Sequence, residues 1–484
     1  MKAILAATIL LFLLPLFSET DNSMIIVTTN EIKTDSSKLS EFINEKENRG
    51  YTILLATEDD FGGGDIKGQE KVLIIRDWLK KNYQNYSYLL LIGNPHEKYG
   101  KIPMLNTHVR GEGTSSGPIT DMDITTDQYY GYLEENWDTN GDGIYAEFLK
   151  DKEGFLFQPN LIVGRIPYYG DIDELDAILE TTIKYMKATP DQMDYRMKAL
   201  LPMSFIWFEG YVNVGVEMDE NRDTADTSEW MIENVFKNYD DVTYTRLYEE
   251  DGHMPSKYEH ELPLSGQNIV SEWQKGYGMV YWGGHGFYDK VVKTVWGEDT
   301  NDNDRAENEE VYSEILLQTG DFEDFANEKP GFVVGLSCLI GDVVPRGNIT
   351  YDMLKNGAAV GVISSTHIDD PSFSTDWSDL VTEPSKADFT LDTIGIKVFD
   401  KMLKGERPSK ALVELRSSFG TPLNTRSFEH KLMINYYGDP TLTLFDHTVA
   451  TEEEPDTETP KEENNDNESP DTNTDGSGCS LTIF

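Results

Sequence analysis

The chain has 484 residues, which is enough for two or three domains that each bury a hydrophobic core. It carries 41 basic and 87 acidic residues, so its formal net charge is −46. A surface of this sign repels phosphate backbones and anionic lipids, which excludes nucleic acid and negatively charged membranes as partners. Calcium, which prefers carboxylate oxygens, is favoured instead.

Residues 1–19 have the pattern of a secretory signal peptide, with a charged start at Lys2 and an apolar run over 4–17. The run is too short to cross a bilayer comfortably, although an uncleaved membrane anchor is the alternative. We therefore expect a secreted or cell-surface, extracellular protein. No large inhibitory propeptide fits between this segment and the first predicted strand.

The C-terminal tail over 447–484 is rich in Glu, Asp, Pro, Thr and Asn. We expect it to be disordered, because it has too little apolar surface to offset the cost of ordering. Its last residues resemble the start of a surface-sorting signal without the hydrophobic helix, and a flexible terminus is the alternative. Of the two cysteines, Cys479 lies in this tail and Cys338 lies far before it, so a structural disulfide is not expected.

Short apolar runs alternate with amphipathic helices through the first part of the chain. The pattern predicts strands over 24–29, 51–56, 88–92 and 161–166, and helices over 36–48, 69–82 and 172–186. This alternation is typical of a parallel sheet with helices on both faces. It defines an N-terminal α/β subdomain over 20–190.

The alternation restarts after residue 190 and defines a second α/β subdomain over 191–446. Its predicted strands cover 199–203, 242–245, 278–281, 332–336, 359–363 and 431–436, and its predicted helices cover 227–237, 268–275, 391–403 and 409–417. The fold class is therefore α/β, with two Rossmann-like subdomains whose mainly parallel sheets are flanked by helices.

A histidine and a cysteine lie just beyond the ends of two strands of the second subdomain. His285 follows the strand over 278–281, and Cys338 follows the strand over 332–336. Open parallel sheets carry their active crevices at the carboxyl ends of the strands. An imidazole beside a thiol lowers the thiol pKa and supplies a proton to a leaving group, so the pair is suited to nucleophilic catalysis. The alternative is a buried histidine in a glycine turn with a buried structural cysteine.

Glycines at 283, 284 and 286 flank the histidine. They allow the backbone to turn sharply and to approach a bound carbonyl closely. We expect the amides of Gly286 and Cys338 to be the oxyanion donors.

Seven short blocks carry a family resemblance that extends over about 24–446. They include Gly-Gly-His-Gly and Gly-Leu-Ser-Cys, and they cover 88–93, 126–131, 163–167, 283–286, 296–297, 335–342 and 437–441. In content and order they resemble the gingipain-type cysteine peptidases of peptidase family C25. The resemblance implies two caspase-like subdomains and endopeptidase activity on protein or peptide substrates through a thioester acyl-enzyme. It implies His285 as the proton-transfer residue and Cys338 as the nucleophile.

The same resemblance extends to orientation and specificity. In this family an acidic residue early in the second subdomain orients the histidine, and Glu209 matches it, with an ordinary loop glutamate as the alternative. Relatives bind a basic P1 side chain with a carboxylate from the segment that follows this acidic residue. In this chain Asp219, Asp223 and Asp226 all lie in the corresponding segment. We expect Arg or Lys at P1, with Asp223, Asp226 and Trp296 in substrate binding.

Residues 138–147 have the ligand spacing that opens an EF-hand calcium loop, with glycine at the sixth position. The expected ligands are Asp138, Asn140, Asp142, Ile144 and Glu147. The twelfth position is occupied by leucine, so Glu147 would close a shorter loop. The alternative is a solvated acidic turn.

A second run has related spacing, with Asp299, Asn301 and Asn303 followed by Glu310 at the twelfth position. It has Asp304 where a glycine is expected. No Cys or His cluster favours zinc, and no organic cofactor is expected.

Two other functions remain open from the sequence. A transpeptidase or sorting enzyme of the same fold would pass the acyl-enzyme to an amine. A catalytically silent, calcium-dependent surface-binding protein would use the same scaffold without chemistry. The presence of both His285 and Cys338 argues against the silent protein.

Overall fold

Apolar runs in the N-terminal half form strands, and amphipathic segments form the helices between them. The computed structural model of the chain describes residues 22–111, 123–213, 215–325, 328–368, 390–418, 422 and 424–447. The strands of the N-terminal half are β1 (Ser23–Val27), β2 (Thr52–Ala56), β3 (Tyr88–Gly93), β4 (Leu105–Thr107), β5 (Ile124–Thr126) and β6 (Ile162–Pro167). The helices are α1 (Asn30–Asp35), α2 (Leu39–Asn48), α3 (Glu58–Phe61), α4 (Gln69–Asn82), α5 (Gln128–Gly131), α6 (Phe148–Asp151) and α7 (Ile172–Met186).

The second half repeats this alternation and adds short strands around the sheet edge. Its strands are β7 (Lys198–Met203), β8 (Phe205–Trp207), β9 (Val212–Asn213), β10 (Val216–Glu217), β11 (Arg222–Asp223), β12 (Thr243–Tyr248), β13 (Leu262–Pro263), β14 (Met279–Gly283), β15 (His285–Phe287), β16 (Lys290–Trp296), β17 (Val311–Gln318), β18 (Gly331–Leu336), β19 (Ala359–Ser365) and β20 (Ile434–Gly438). Its helices are α8 (Ala225–Asn234), α9 (Gly266–Trp273), α10 (Ile349–Lys355), α11 (Leu391–Leu403), α12 (Pro408–Ser418) and α13 (Thr425–Met433).

One eleven-stranded, mainly parallel sheet runs through both halves, in the order β13-β12-β7-β14-β18-β19-β20-β6-β3-β1-β2. Its central strands are buried on both faces, as the unbroken apolar runs predict. The α/β fold predicted from the sequence is therefore confirmed. The two predicted subdomains share this one sheet, because β20 lies between β19 and β6.

Residues from the blocks that carry the family resemblance meet where the two halves join. The Arg165 guanidinium makes two hydrogen bonds of 2.6 Å to the Asp127 carboxylate, and all of these groups are buried. A Cβ at Gly164 would lie 2.4 Å from the carbonyl oxygen of Gly438, so only glycine lets β6 and β20 approach this closely. The single bridge between these strands pairs Tyr437 with Arg165.

The predicted strand over 431–436 begins too early. Residues up to Met433 belong to α13, which Asn424 caps at its N-terminus, and the strand starts at Ile434. The three-stranded antiparallel sheet β15-β16-β17 was not predicted from the sequence. No helix in the described ranges is long and apolar enough to cross a membrane. The expected signal peptide over 1–19 and the tail from 448 onward, with Cys479, lie outside the described residues.

Candidate active site

Strand pairing brings the histidine and the cysteine to one place. β14 and β18 are parallel neighbours, with Gly283 opposite Leu336. His285 begins β15 two residues beyond the end of β14, and Cys338 is the second residue beyond β18. The Cys338 side chain is half-buried. Both residues therefore leave the same edge of the sheet from adjacent strands.

Gly286 shows how closely the two segments approach. A Cβ added at this position would lie 2.0 Å from the carbonyl oxygen of Cys338 and 2.9 Å from its amide nitrogen. Ordinary contacts between nonbonded heavy atoms are about 3.5–4.0 Å. The backbone after His285 therefore packs directly against the backbone of Cys338, and a side chain at position 286 would separate them.

Ser337 joins the segment before His285 to the segment of Cys338 through hydrogen bonds of its side chain. Its hydroxyl donates a 2.8 Å hydrogen bond to the carbonyl of Gly284 and accepts a 3.1 Å bond from the Trp282 indole nitrogen. All three groups are buried. This serine is a supporting residue that the sequence analysis missed, and its place beside the cysteine in Gly-Leu-Ser-Cys was the only signal for it.

The chain turns sharply after Cys338. Leu339 has a φ of +59°, in the left-handed region that residues with a Cβ rarely adopt. Its amide donates to the carbonyl of His367, and the amide of Gly341 donates to Ser365, so the end of β19 holds the turn. The third parallel strand therefore fixes the backbone conformation that follows the cysteine.

A backbone carbonyl orients the His285 ring. Nε2 lies 2.7 Å from the carbonyl oxygen of Ile206 in β8, and a carbonyl can only accept, so Nε2 carries the proton. Burial lowers the pKa of His285 below 6.5, and the Ile206 carbonyl only partly opposes this shift. At neutral pH the ring is neutral, which leaves Nδ1 as a proton acceptor.

Glu209, the residue expected to orient the histidine, points elsewhere in this structure. Its carboxylate accepts a 3.0 Å hydrogen bond from Arg305, and its side chain is 41% exposed. No hydrogen bond joins it to His285 within the described part of the chain. Ile206 occupies that place on Nε2, and no local pattern in the sequence identifies such a carbonyl.

The expected specificity residues differ in accessibility. Asp223 is buried and opposite Phe205 in β8, one residue from the carbonyl that holds His285. It accepts hydrogen bonds from the Ser256 hydroxyl at 2.6 Å and from the amide of Ala225 at 2.9 Å, and burial raises its pKa. The Asp223 carboxylate is therefore near the site, and no ion pair within the described ranges holds it there.

Asp226 and Trp296 lie in different surroundings. Asp226 is partly exposed and pairs with Lys257 at 2.8 Å, while the Tyr258 hydroxyl donates to it at 2.5 Å. Trp296 is 2% exposed, and its indole nitrogen donates to Glu310. Burial removes Trp296 from the surface that a substrate reaches, so its contribution is to pack against Phe208.

The first acidic loop, over 138–147, folds around the carboxylate of its first residue. The Asp138 carboxylate accepts hydrogen bonds from the amides of Gly141, Asp142 and Gly143 at 2.8–3.1 Å. Gly141 and Gly143, at the fourth and sixth positions, both have positive φ. Lys150 donates to Asp142 at 3.1 Å and pairs with Glu147 at 2.8 Å, so an ammonium group lies between two of the expected ligands.

The second acidic loop repeats this backbone shape without glycine. Asp302 and Asp304, at its fourth and sixth positions, both have a φ of +56°. The Asp299 carboxylate accepts from the amides of Asn303 and Asp304 at 3.2 and 2.8 Å. Ligand atoms of His253, Asp299 and Asp304 lie within 4.8 Å of one another.

The fold and the paired site define a cysteine peptidase. The family model of peptidase family C25 matches residues 17–445, so the chain belongs to peptidase family C25. This confirms the family that the sequence blocks suggested. Among curated proteins, no match was found.

Solved structures agree in fold at low sequence identity. The crystal structure of the Arg-specific cysteine proteinase gingipain R (RgpB) is 14% identical, with a TM-score of 0.57, over 88% of this chain and 79% of that one. The complex of Porphyromonas gingivalis RgpB pro- and mature domains is 14% identical, with a TM-score of 0.55, over 87% of this chain and 79% of that one. These similarities support the caspase-like arrangement of the sheet and helices.

Proposed function

We propose that this peptidase is a secreted endopeptidase in which Cys338 attacks the scissile carbonyl and His285 transfers the proton. The approach of Gly286 to the Cys338 backbone is the observation that carries the proposal. The thiol proton passes to Nδ1 of the neutral ring as the sulfur bonds to the carbonyl carbon. The amides of Gly286 and Cys338 donate to the developing oxyanion.

The intermediate then collapses to a thioester. The imidazolium of His285 gives its proton to the leaving amine, and water later hydrolyses the thioester by the reverse proton route. The Ile206 carbonyl stabilises the imidazolium through the Nε2 hydrogen. In this mechanism Ile206 takes the orienting part first assigned to Glu209, and Glu209→Gln should change kcat by less than about threefold, within the effect of one exposed ion pair.

Peptide turnover and thiol labelling test this proposal together. A Cys479→Ala protein contains one cysteine, and we expect iodoacetamide to modify it once and to abolish cleavage of a peptide library. Cys338→Ala should eliminate turnover, and His285→Ala should slow both cleavage and alkylation. Turnover by Cys338→Ala at the wild-type rate would overturn the proposal. Adding a competing amine and weighing the products distinguishes hydrolysis from transpeptidation.

We propose Arg or Lys as the P1 residue, with Asp223 at the base of its pocket. This carboxylate is close to the Ile206 carbonyl that holds His285, and it has no cationic partner at hydrogen-bond distance among the residues that the structure describes. An incoming guanidinium or ammonium would therefore offset its burial. Asp226 already pairs with Lys257. We expect Asp223→Asn to reduce kcat/KM on Arg peptides by about 10²-fold, with little effect on citrulline peptides.

Asp226→Asn is the matched control for this substitution. It removes the same charge from the following helix and should change Arg turnover much less. A larger loss in Asp226→Asn would reassign the pocket to that residue, and equal turnover of Arg and citrulline peptides would end the basic P1 proposal.

We propose structural calcium in the loop over 138–147. The Asp138 carboxylate and the positive-φ glycines fit it, whereas Lys150 competes for Asp142 and Glu147. Calcium therefore has to displace the ammonium group. We expect Lys150→Met to bind calcium about tenfold more tightly than wild type in calorimetry, since it leaves two carboxylates for the ion. Asp142→Asn removes one expected ligand and should weaken calcium binding. If calorimetry gives the same heat of calcium binding for Lys150→Met and Asp142→Asn, calcium does not bind at this loop.

The pattern over residues 1–19 supports secretion, and the last residues of the tail, which resemble the start of a surface-sorting signal, support attachment to a cell surface. Fractionation of a culture that expresses the full chain tests both, since the processed protein should leave the cytoplasm. Retention of an uncleaved N-terminus in the membrane fraction would favour an anchor.

A further inference from the structure

A crevice opens where the strands of the N-terminal half end. Its volume is about 180 Å³, and its lining includes Thr29 after β1, Asn94 after β3 and Tyr168 after β6. The rest of its lining consists of Glu31, Lys67, Tyr99, Lys101, Tyr169 and Gly170. Neither the peptidase chemistry nor the acidic loops use any of these residues.

The position of this crevice follows from the chain topology. The chain leaves β1 towards β2 on one side and leaves β3 towards β6 on the other. Open α/β sheets bind ligands at such a switch point, because the loops separate there. The corresponding switch in the second half lies between β7 and β14, and His285 stands beside it. The strand order thus has two such switch points, one beside His285 and one at this crevice.

The lining of the crevice favours a negatively charged ligand. Lys67 makes no ion pair within the described residues, and its side chain is exposed. Lys101 pairs with Glu31 at 3.2 Å, but the Tyr168 hydroxyl also donates to that carboxylate at 3.0 Å. The charged side chains that line the crevice are two lysines and the Glu31 carboxylate, so the lining has a net charge of +1 in a chain of net charge −46. Tyr99, which is 59% exposed, offers an aromatic face beside it.

The wall of the crevice contacts the segment that follows the catalytic cysteine. The Tyr169 hydroxyl donates to the carbonyl of Val343, and the side-chain amide of Asn348 donates to that hydroxyl at 2.9 Å. Glu174 at the start of α7 accepts from Tyr351 at 2.9 Å. These contacts place the carboxyl end of β6 at the same edge of the sheet as Cys338.

Size and distance fit a peptide segment. The crevice is smaller than most small-molecule sites, which are about 300–1,000 Å³, and it accommodates roughly one side chain. Three to five strand spacings separate β18 from β6, β3 and β1, which is about 14–24 Å. An extended peptide covers this distance in roughly four to seven residues.

We propose that this crevice is an exosite that binds an acidic side chain of a peptide, with its carboxylate on Lys67 and Lys101. The assignment of the peptide as substrate rests on the proposed endopeptidase function, whereas the binding does not require catalysis. An acidic residue about six positions from the scissile bond occupies the exosite while Cys338 attacks.

Binding to the full-length Cys338→Ala protein tests the exosite without cleavage. The probes are two fluorescent twelve-residue peptides that contain one Arg and, six positions away, either Glu or Gln. We expect the Glu peptide to bind about tenfold more tightly, as for one charge-assisted hydrogen bond. Lys67→Gln and Lys101→Gln should each remove most of this preference.

Lys98→Gln is the matched control, because Lys98 lies on the same surface, is 81% exposed and does not line the crevice. It should leave the preference intact. Equal affinity for the Glu and Gln peptides, or an equal loss in all three lysine variants, would overturn the exosite. If wild type cleaves no peptide while the Glu preference persists, the peptidase proposal fails and the exosite stands.

A short Glu tetrapeptide without Arg distinguishes the two sources of the acidic side chain. Competition by this tetrapeptide at millimolar concentration shows that a separate peptide also fills the exosite. Failure to compete, with the preference for the longer Glu peptide retained, shows that the side chain must belong to the substrate. Both outcomes support the exosite.

Discussion

Replacing Gly286 with alanine tests whether the close approach of two backbones creates the active site. The new Cβ would lie 2.0 Å from the carbonyl oxygen of Cys338, whereas an ordinary contact needs about 3.5 Å. The segment after His285 therefore has to move by about 1.5 Å relative to the cysteine. None of the three close atoms is the flexible end of a side chain, because two belong to the Cys338 backbone and the third is the Cβ of Ser337, at 2.8 Å.

A displacement of this size has a large effect on catalysis and a moderate effect on stability. Misplacing reacting groups by about 1 Å costs about 10²-fold in rate, so kcat should fall by at least that factor. Overpacking of this kind destabilises a fold by about 1–3 kcal/mol, which a protein with this large a core tolerates. We therefore expect a folded protein with strongly reduced peptide turnover and slower alkylation of Cys338.

Gly347→Ala provides the control for Gly286→Ala. Gly347 lies in the same segment after Cys338, but a Cβ there meets no atom within 4 Å. This variant should retain wild-type turnover and stability. Turnover of Gly286→Ala within about threefold of wild type, with the protein fully folded by urea denaturation, would refute the reasoning from the close approach.

Three further substitutions test the surroundings of the site. Ser337→Ala removes the partner of the buried Trp282 indole and should lower the free energy of unfolding by about 1–3 kcal/mol in urea denaturation; an unchanged midpoint would contradict this. Arg165→Met leaves the Asp127 carboxylate buried without its cation, and a loss of about 3–5 kcal/mol is expected in the same assay, partly restored by adding Asp127→Asn. Burial raises the pKa of Asp342 from 3.8 to about 6, so wild type loses stability as pH rises through that range, because the unfolded carboxyl releases its proton first. In the variant Asp342→Asn the side chain at this position does not titrate. The free energy of unfolding of the variant, relative to that of wild type, should therefore rise by about 1 kcal/mol between pH 5 and pH 7.5. If this difference falls with rising pH, the folded protein does not hold the carboxyl in its protonated form.

The hydrophobic periodicity of the sequence was sufficient to predict most strands of the main sheet and the long helices that cover it. The helices predicted over 69–82, 172–186 and 391–403 have those bounds in the structure, because each carries its own apolar stripe. The start of the late strand was wrong by three residues, since the apolar residues of 431–433 also suit the last turn of a helix. Short strands such as β15 have too few residues for any period, so the sequence did not predict them.

Some features of the candidate active site could be predicted from the sequence, and others depended on the tertiary structure. The sequence predicted His285 and Cys338 as the catalytic pair, because their types and their positions after apolar strands are local features and the blocks around them resemble the family. Only the tertiary structure decided that the Ile206 carbonyl holds the His285 ring while Glu209 pairs with Arg305. Any residue has a carbonyl, and which one meets a ring depends on how strands distant in sequence pack together.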